Sequence, residues 1–166
     1  ECTDYTDGCV EFPKCCPECC TPLVKEGEIW KCPNIAHCPA QKEGRIEQWC
    51  SKDGMDIAQL GPEMIHDLVE KKLVNDPLDL YVIARDYTPQ SLVDVLGIGY
   101  GLKKVKKFIE NVNASKTRTF DKVLYSLCIS GIGKQNAKMI AEKFRSYQNL
   151  RNATKEQLME LDGIGE

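Results

Sequence analysis

No apolar run in this chain approaches the length needed to span a bilayer. No basic stretch followed by an apolar segment opens it, so no secretion signal is read. The first absence excludes a membrane-spanning apolar helix. The expectation is a cytoplasmic protein with no membrane partner, acting as a monomer. Disorder is excluded by what is present. Hydrophobic residues make up 42% and charged residues 28% of 166 residues, enough for a packed core in one domain or two small ones. The chain starts at Glu1 and stops at LDGIGE, inside a repeated pattern, so an excised piece of a longer protein is expected.

Ten cysteines raise the question of a disulfide scaffold. Their spacing argues against one. CPECCTPLVKEGEIWKCPNIAHC, residues 16–38, holds a C-x2-C pair and a C-x5-C pair. A long, cysteine-poor region follows and would need no staples, which suits a reducing compartment. A C-x2-C turn can aim both sulfurs at one ion, and zinc takes four such ligands in a tetrahedron. Cys16-Pro17-Glu18-Cys19 carries the favoured Pro after the first Cys. Cys15–Cys19 and Cys16–Cys20 would put three residues between ligands, a less usual spacing. The second pair is Cys32 and Cys38, with His37 as an outside candidate. The expected ligands are therefore Cys16, Cys19, Cys32 and Cys38. Gly27 sits at a turn between two short alternating runs, which makes the module a small zinc ribbon. Four protein sulfurs leave no open position, so the zinc would be structural. Cys2, Cys9, Cys50 and Cys128 lack local partners. Cys128, in VLYSLCISGIG, reads as a small hydrophobe on an apolar helix face.

Net charge is −3, but it is unevenly spread. Residues 1–50 carry −4, residues 51–101 carry −5 and residues 102–166 carry +6. A basic half suits a polyanion partner; a merely solvated basic face gives the same count.

After residue 50 the pattern is helical. Glycine turns recur in QLGPEMIHDLV, GYGLKKVKKFIENV, GIGKQNAKMIAEKF and DGIGE. In the third, Ala137, Ile140, Ala141 and Phe144 lie on one helical face beyond Gly133. The same offsets settle the second: counting from Gly99 would bury Lys103, Lys106 and Lys107, whereas counting from Gly101 buries Val105, Phe108, Ile109 and Val112. The hairpin is then Gly99-Tyr100-Gly101. In the first copy Gln59 stands where a glycine is expected, and Ile65, Leu68 and Val69 follow Gly61. The fourth, Gly163-Ile164-Gly165, stops before its second helix.

The expected fold is mainly α, a small four-cysteine zinc ribbon followed by a helical domain of four helix-hairpin-helix motifs, the last truncated. Hairpin glycines let a phosphate approach backbone N–H groups at a helix N-terminus, where the dipole favours an anion. The expected DNA contacts are Gly99, Gly101, Lys103, Lys104, Gly131, Ile132, Gly133, Lys134, Gly163 and Gly165. Such contacts hold phosphates and read no bases. Ile132 and Ile164 would tuck between helices.

A zinc ribbon running directly into four such motifs resembles the C-terminal half of NAD-dependent DNA ligases. VEFPKCCPEC, KCPNIAHCPAQ, MDIAQLG and LVNDPLDLY carry the resemblance, from about Val10 to the end. The family has a Gly after the second Cys where this chain has Cys20. The resemblance implies an enzyme that seals nicks in duplex DNA, with NAD and a divalent cation used by upstream domains absent here. It implies a barrel ahead of this chain, its linker tail at 1–12, the zinc module at 13–50 and the DNA-binding domain at 51–166. Ser51-Lys52-Asp53-Gly54 is close to the nucleotidyl-transfer motif K-x-D-G, but no residue separates Lys52 from Asp53. Lys52 reads as a surface lysine in a turn, and no catalytic residue is expected. Two rival readings use the same residues: a zinc and hairpin module of another repair or recombination protein, and a protein-interaction zinc module without nucleic acid.

Overall fold

The computed structural model describes residues 13–97, 99–161 and 163. The chain divides into two compact units, Glu1–Gln41 and Lys42–Glu166.

In the first unit, β1 (Val24–Glu26) and β2 (Ile29–Lys31) form a two-stranded antiparallel ribbon. Val24 stands opposite Lys31, Lys25 opposite Trp30 and Glu26 opposite Ile29. Gly27 makes the turn at a φ of +61°, a conformation that side chains rarely accept. Every residue of both strands is exposed, so the ribbon has no apolar core of its own. Among the described residues of this unit, the buried ones are Cys16 and Cys38. A module this small needs a metal or a cross-link to hold its shape.

The unit boundary falls within α1 (Pro39–Cys50). Then follow α2 (Pro62–Glu70), α3 (Asp79–Asp86), α4 (Pro89–Leu96), α5 (Leu102–Ser115), α6 (Phe120–Ser126), α7 (Lys134–Phe144), α8 (Tyr147–Arg151) and α9 (Lys155–Met159). The molecule is mainly helical, as its periodicity requires. Local signals start several helices. Thr88 accepts from the Ser91 N–H at α4, Ser146 from Asn149 at α8, and Thr154 with Gln157 forms a capping box at α9.

Two apolar clusters organise the second unit. The larger draws Ile46 and Trp49 from α1, Met64, Ile65 and Leu68 from α2, Leu80 and Ile83 from α3, Leu92 and Leu96 from α4, and Val105, Phe108 and Val112 from α5. The smaller joins Leu124 of α6 to Ala137, Ile140 and Phe144 of α7. Val105, Phe108 and Val112 are fully buried while Lys103, Lys106 and Lys107 are exposed, in agreement with the register counted from Gly101. A polar chain threads the larger cluster. Trp49 Nε1 donates to Tyr81 Oη at 3.3 Å, and Tyr81 Oη lies 2.9 Å from the buried Ser115 Oγ.

The turn at 51–56 joins these parts. The Met55 N–H donates to the Trp49 carbonyl at 2.9 Å, and the Arg118 guanidinium reaches the Met55 carbonyl and the Asp56 carboxylate. Gly54 is buried between α1 and α6. A Cβ there would stand 2.5 Å from Ser126 Oγ and 2.9 Å from the carbonyl oxygens of Gln48 and Trp49. Gly44, within α1, has open space around its missing Cβ. Gly54→Ala should therefore lower stability by about 1–3 kcal/mol, through forced shifts of backbone. Gly44→Ala should raise it by about 0.5–1 kcal/mol, the ordinary helix gain. Urea unfolding of the two variants should show opposite signs.

Candidate metal centre and nucleic-acid interface

The sulfurs of Cys16, Cys19, Cys32 and Cys38 all lie within 4.8 Å of one another. Cys16 and Cys38 are 3.9 Å apart, Cys19 and Cys32 3.5 Å. Ligands of one tetrahedral zinc stand about 3.8 Å apart, since each Zn–S bond is about 2.3 Å. The four cysteines thus fit such an ion. Two short turns bring them together. The Cys16 N–H donates to the Thr21 carbonyl at 2.9 Å and the Cys20 N–H to the Cys16 carbonyl at 2.8 Å. On the other side, the Cys38 N–H donates to the Asn34 carbonyl at 3.0 Å. Cys15, Cys20 and His37 are exposed and outside the group. Cys20 takes a left-handed φ of 55°, which is where a glycine would sit without strain.

The thiols compete for charge. The Thr21 hydroxyl and backbone N–H pull Cys19 down to about 6. The Asn34 N–H also favours a Cys32 thiolate, but desolvation and the neighbouring Cys19 and Cys16 sulfurs outweigh it and push Cys32 up to about 12. Desolvation likewise raises Cys38, against the pull of the Gln41 N–H. Four thiolates cannot crowd together without a counter-charge, and a divalent cation supplies one. Elsewhere, burial pushes Cys50 up to about 12, which leaves it an inert core residue. Cys128 corrects its sequence reading. It follows the end of α6, is exposed, and has a left-handed φ of 54°, so it is not on a helix face.

The third glycine turn joins α6 to α7. Gly131 takes a φ of +78°, the half-buried Ile132 packs on the smaller apolar cluster, and Gly133 caps α7. Gly133 has no side chain, and among the described residues no other side chain caps α7, so the first N–H groups of this helix are left without a side-chain partner. Added Cβ atoms at Gly131 and Gly133 would meet nothing within 4 Å, so the approach is open. Asn136 donates to the carbonyls of Gly131 at 3.0 Å and Gly163 at 3.3 Å, which ties the third turn to the fourth. Gly163 itself has a φ of +83°. Ile164 and Gly165, also expected at the fourth turn, lie outside the described residues.

The first turn repeats this backbone path with different residues. Left-handed residues stand five and two positions before the capping glycine in both: Asp56 and Gln59 before Gly61, Cys128 and Gly131 before Gly133. Gln59 holds a φ of 73°, so the missing glycine did not change the path. The sequence offsets place this copy, with Gln59 where a glycine is expected; the left-handed Asp56 is what the offsets do not show. The second turn differs. Gly97 has the left-handed φ, Gly99 does not, and Gly101 caps α5. Tyr100, its buried middle residue, donates to Asp67 at 2.5 Å and is pushed up to about 12 by burial and that carboxylate. Glu43, Glu63 and Asp67 line the groove beside Gly99, Tyr100 and Lys104. A phosphate at the second turn would meet like charge. Lys104 lies over the Tyr100 ring at 5.3 Å, and Lys103 is exposed. Lys134 is exposed at the third turn and pairs with Asp53, 81 residues away in sequence.

A family profile described as "Helix-hairpin-helix motif" matches residues 122–166. The chain is 42% identical over 159 residues to the DNA ligase of Aquifex aeolicus (strain VF5), covering 94% of this chain and 21% of that protein. The chain is similar to one segment of DNA ligases. The DNA ligases of Coprothermobacter proteolyticus and Chlorobium chlorochromatii are 40% and 37% identical, again over 94% of this chain. The chain spans about a fifth of the length of these relatives, 21% to 23%. The hairpin profile falls over α6 to α9, which include the third turn.

The cluster geometry yields a ligand test. Cobalt(II), titrated into the metal-free chain, should give the intense absorption of a tetrahedral thiolate site at about one ion per chain. Cys16→Ser, Cys19→Ser, Cys32→Ser and Cys38→Ser should each abolish that band. Cys15→Ser and Cys20→Ser should keep it. Loss of the band in Cys20→Ser with retention in Cys19→Ser would replace one ligand by the other.

Proposed function

We propose that this chain is the DNA-gripping region of an NAD-dependent DNA ligase, an enzyme that seals nicks in duplex DNA. The observation that carries this reading is the third turn. There an open left-handed glycine, a packed apolar residue and an uncapped helix N-terminus meet in a basic stretch, and the profile and ligase similarities fall on the same residues. Outward-facing N–H groups at Gly133 and Lys134 suit a phosphate, and the helix dipole adds to the attraction. The same path at the first turn, and Gly163 at the fourth, supply further phosphate contacts. Gly99, Gly101, Lys103 and Lys104 form the remaining contact, weakened by the acidic groove beside it. Ile132 holds the third turn in place from below. Contacts of this kind are independent of base sequence, so the grip is non-specific.

Cys16, Cys19, Cys32 and Cys38 would hold a structural zinc, which is redox-inert and fixes the ribbon. The catalytic residues of the enzyme, and its use of NAD and a divalent cation, belong to upstream domains. In this arrangement residues 1–12 end the linker from a barrel, 13–50 form the zinc module and 51–166 the DNA-binding module. The partner is nicked duplex DNA, met by a monomer in the cytoplasm. Among the described residues no helix is long and apolar enough to cross a membrane, and no membrane partner is proposed.

Gly133→Asp puts a Cβ and a negative charge into the phosphate approach, so steric and Coulomb terms both oppose binding. The turn is exposed, so the fold should persist, which circular dichroism checks. Duplex affinity at fixed salt should fall on the order of tenfold, alike for several unrelated sequences. Wild-type affinity in the folded variant would make the third turn purely structural. In a second test the chain should join no nicked DNA, with or without NAD. Any AMP adduct on Lys52 would overturn the assignment of chemistry to upstream domains.

A further inference from the structure

The Ser51-Lys52-Asp53-Gly54 turn was left without a role by its sequence, and the structure sets it against the third glycine turn. Asp53 Oδ1 lies 2.5 Å from Lys134 Nζ, one residue beyond the cap of α7. Lys122 Nζ lies 3.3 Å from the Lys52 carbonyl. One carboxylate therefore sits among three lysines, Lys52, Lys122 and Lys134, all of which favour its charge. The Lys134 hydrogen bond holds the Asp53 carboxyl below its usual range, with Lys122 and Lys52 adding to it. In this position the carboxylate meets the lysine that a phosphate at the third turn would meet.

The two partners differ in freedom. Asp53 is presented by a turn that cannot follow a moving partner. The Gly54 N–H donates to the Ser51 carbonyl at 3.0 Å, Asp56 N–H to the same carbonyl at 2.9 Å, and Gly54 is wedged against the carbonyls of Gln48 and Trp49. Lys134 has a long flexible side chain that is 66% exposed. Any exchange of partners is thus made by the lysine.

We propose that Asp53 is a built-in competitor for DNA: its carboxylate occupies Lys134 in the free protein, and duplex binding moves Lys134 from Asp53 to a phosphate. The proposal rests on the reading of the third turn as a phosphate site. It gives Asp53 a regulatory weight on affinity. No bond is made or broken, so the exchange is purely ionic and sensitive to salt.

The test is a double-mutant cycle on duplex binding at low, fixed salt, using wild type, Asp53→Asn, Lys134→Gln and the double variant. Asp53→Asn keeps the shape of an exposed side chain and removes its charge; helix content and melting are matched first, and Asp53→Ser replaces it if it does not fold. Exposed ion pairs are weak, so Asp53→Asn should tighten duplex binding about two- to fivefold. In the Lys134→Gln background the gain should vanish. An equal gain in both backgrounds would show that Asp53 acts only as general negative charge, and an unchanged or weakened Asp53→Asn would show that it positions Lys134 instead; either result overturns the exchange. If wild type binds the duplex and the cycle shows no coupling, the exchange alone fails. If none of the four proteins binds the duplex, the phosphate-site reading fails and the exchange with it.

Discussion

The burial of a short apolar stripe behind each glycine turn is the constraint on which the rest of the helical unit depends. Ala137, Ile140 and Phe144 must face Leu124, and Val105, Phe108 and Val112 must face the larger cluster. Burying the larger of these side chains stabilises by roughly 1.5–3 kcal/mol each, more than an ordinary exposed ion pair. Once those stripes are buried, each helix has one allowed rotation. The residue that caps it is then fixed in space, and so is the direction of its first N–H groups. The direction of those N–H groups follows from core packing and not from the turn alone.

Leaving those N–H groups free has a cost that the sequence shows. At α4, α8 and α9 a Ser or Thr hydroxyl fills the first turn, which is the stabilising solution. At α2, α5 and α7 glycine caps the helix and no side chain replaces it. Glycine gives up a local hydrogen bond at these three helices and leaves open space beside each cap. The larger and smaller apolar clusters carry the stability that the caps do not. The four-cysteine module solves a different problem. Its strands are wholly exposed, so four sulfurs and one ion would take the place of a core.

Some turn residues depart from their expected types without changing the chain path. Gln59 and Cys20 both hold left-handed conformations where a glycine would be relaxed. A non-glycine residue in that region costs on the order of 1 kcal/mol, which the packing around it can offset. The second turn shows the reverse. Its glycines are present, but the left-handed position is Gly97 and acidic residues line the groove. Residue type therefore indicates where a turn occurs, while the backbone decides which turn it is.

Periodicity and spacing by themselves determined the helical class, the order of ribbon then helices, the buried faces of α2, α5 and α7, and the four cysteines that converge. Each of these is encoded locally: a helical face repeats every three or four residues, and ligand pairs lie within seven positions of each other. The rest is long-range. Nothing in the run SKDG announces that Asp53 will meet Lys134, because the contact is made by folding across 81 residues. Nothing in Asp56 announces a left-handed residue ahead of the first turn. Cys128 sits in an apolar run, yet α6 ends before it and leaves it exposed. Only the tertiary structure decided these, since each depends on which distant backbone closes against the turn.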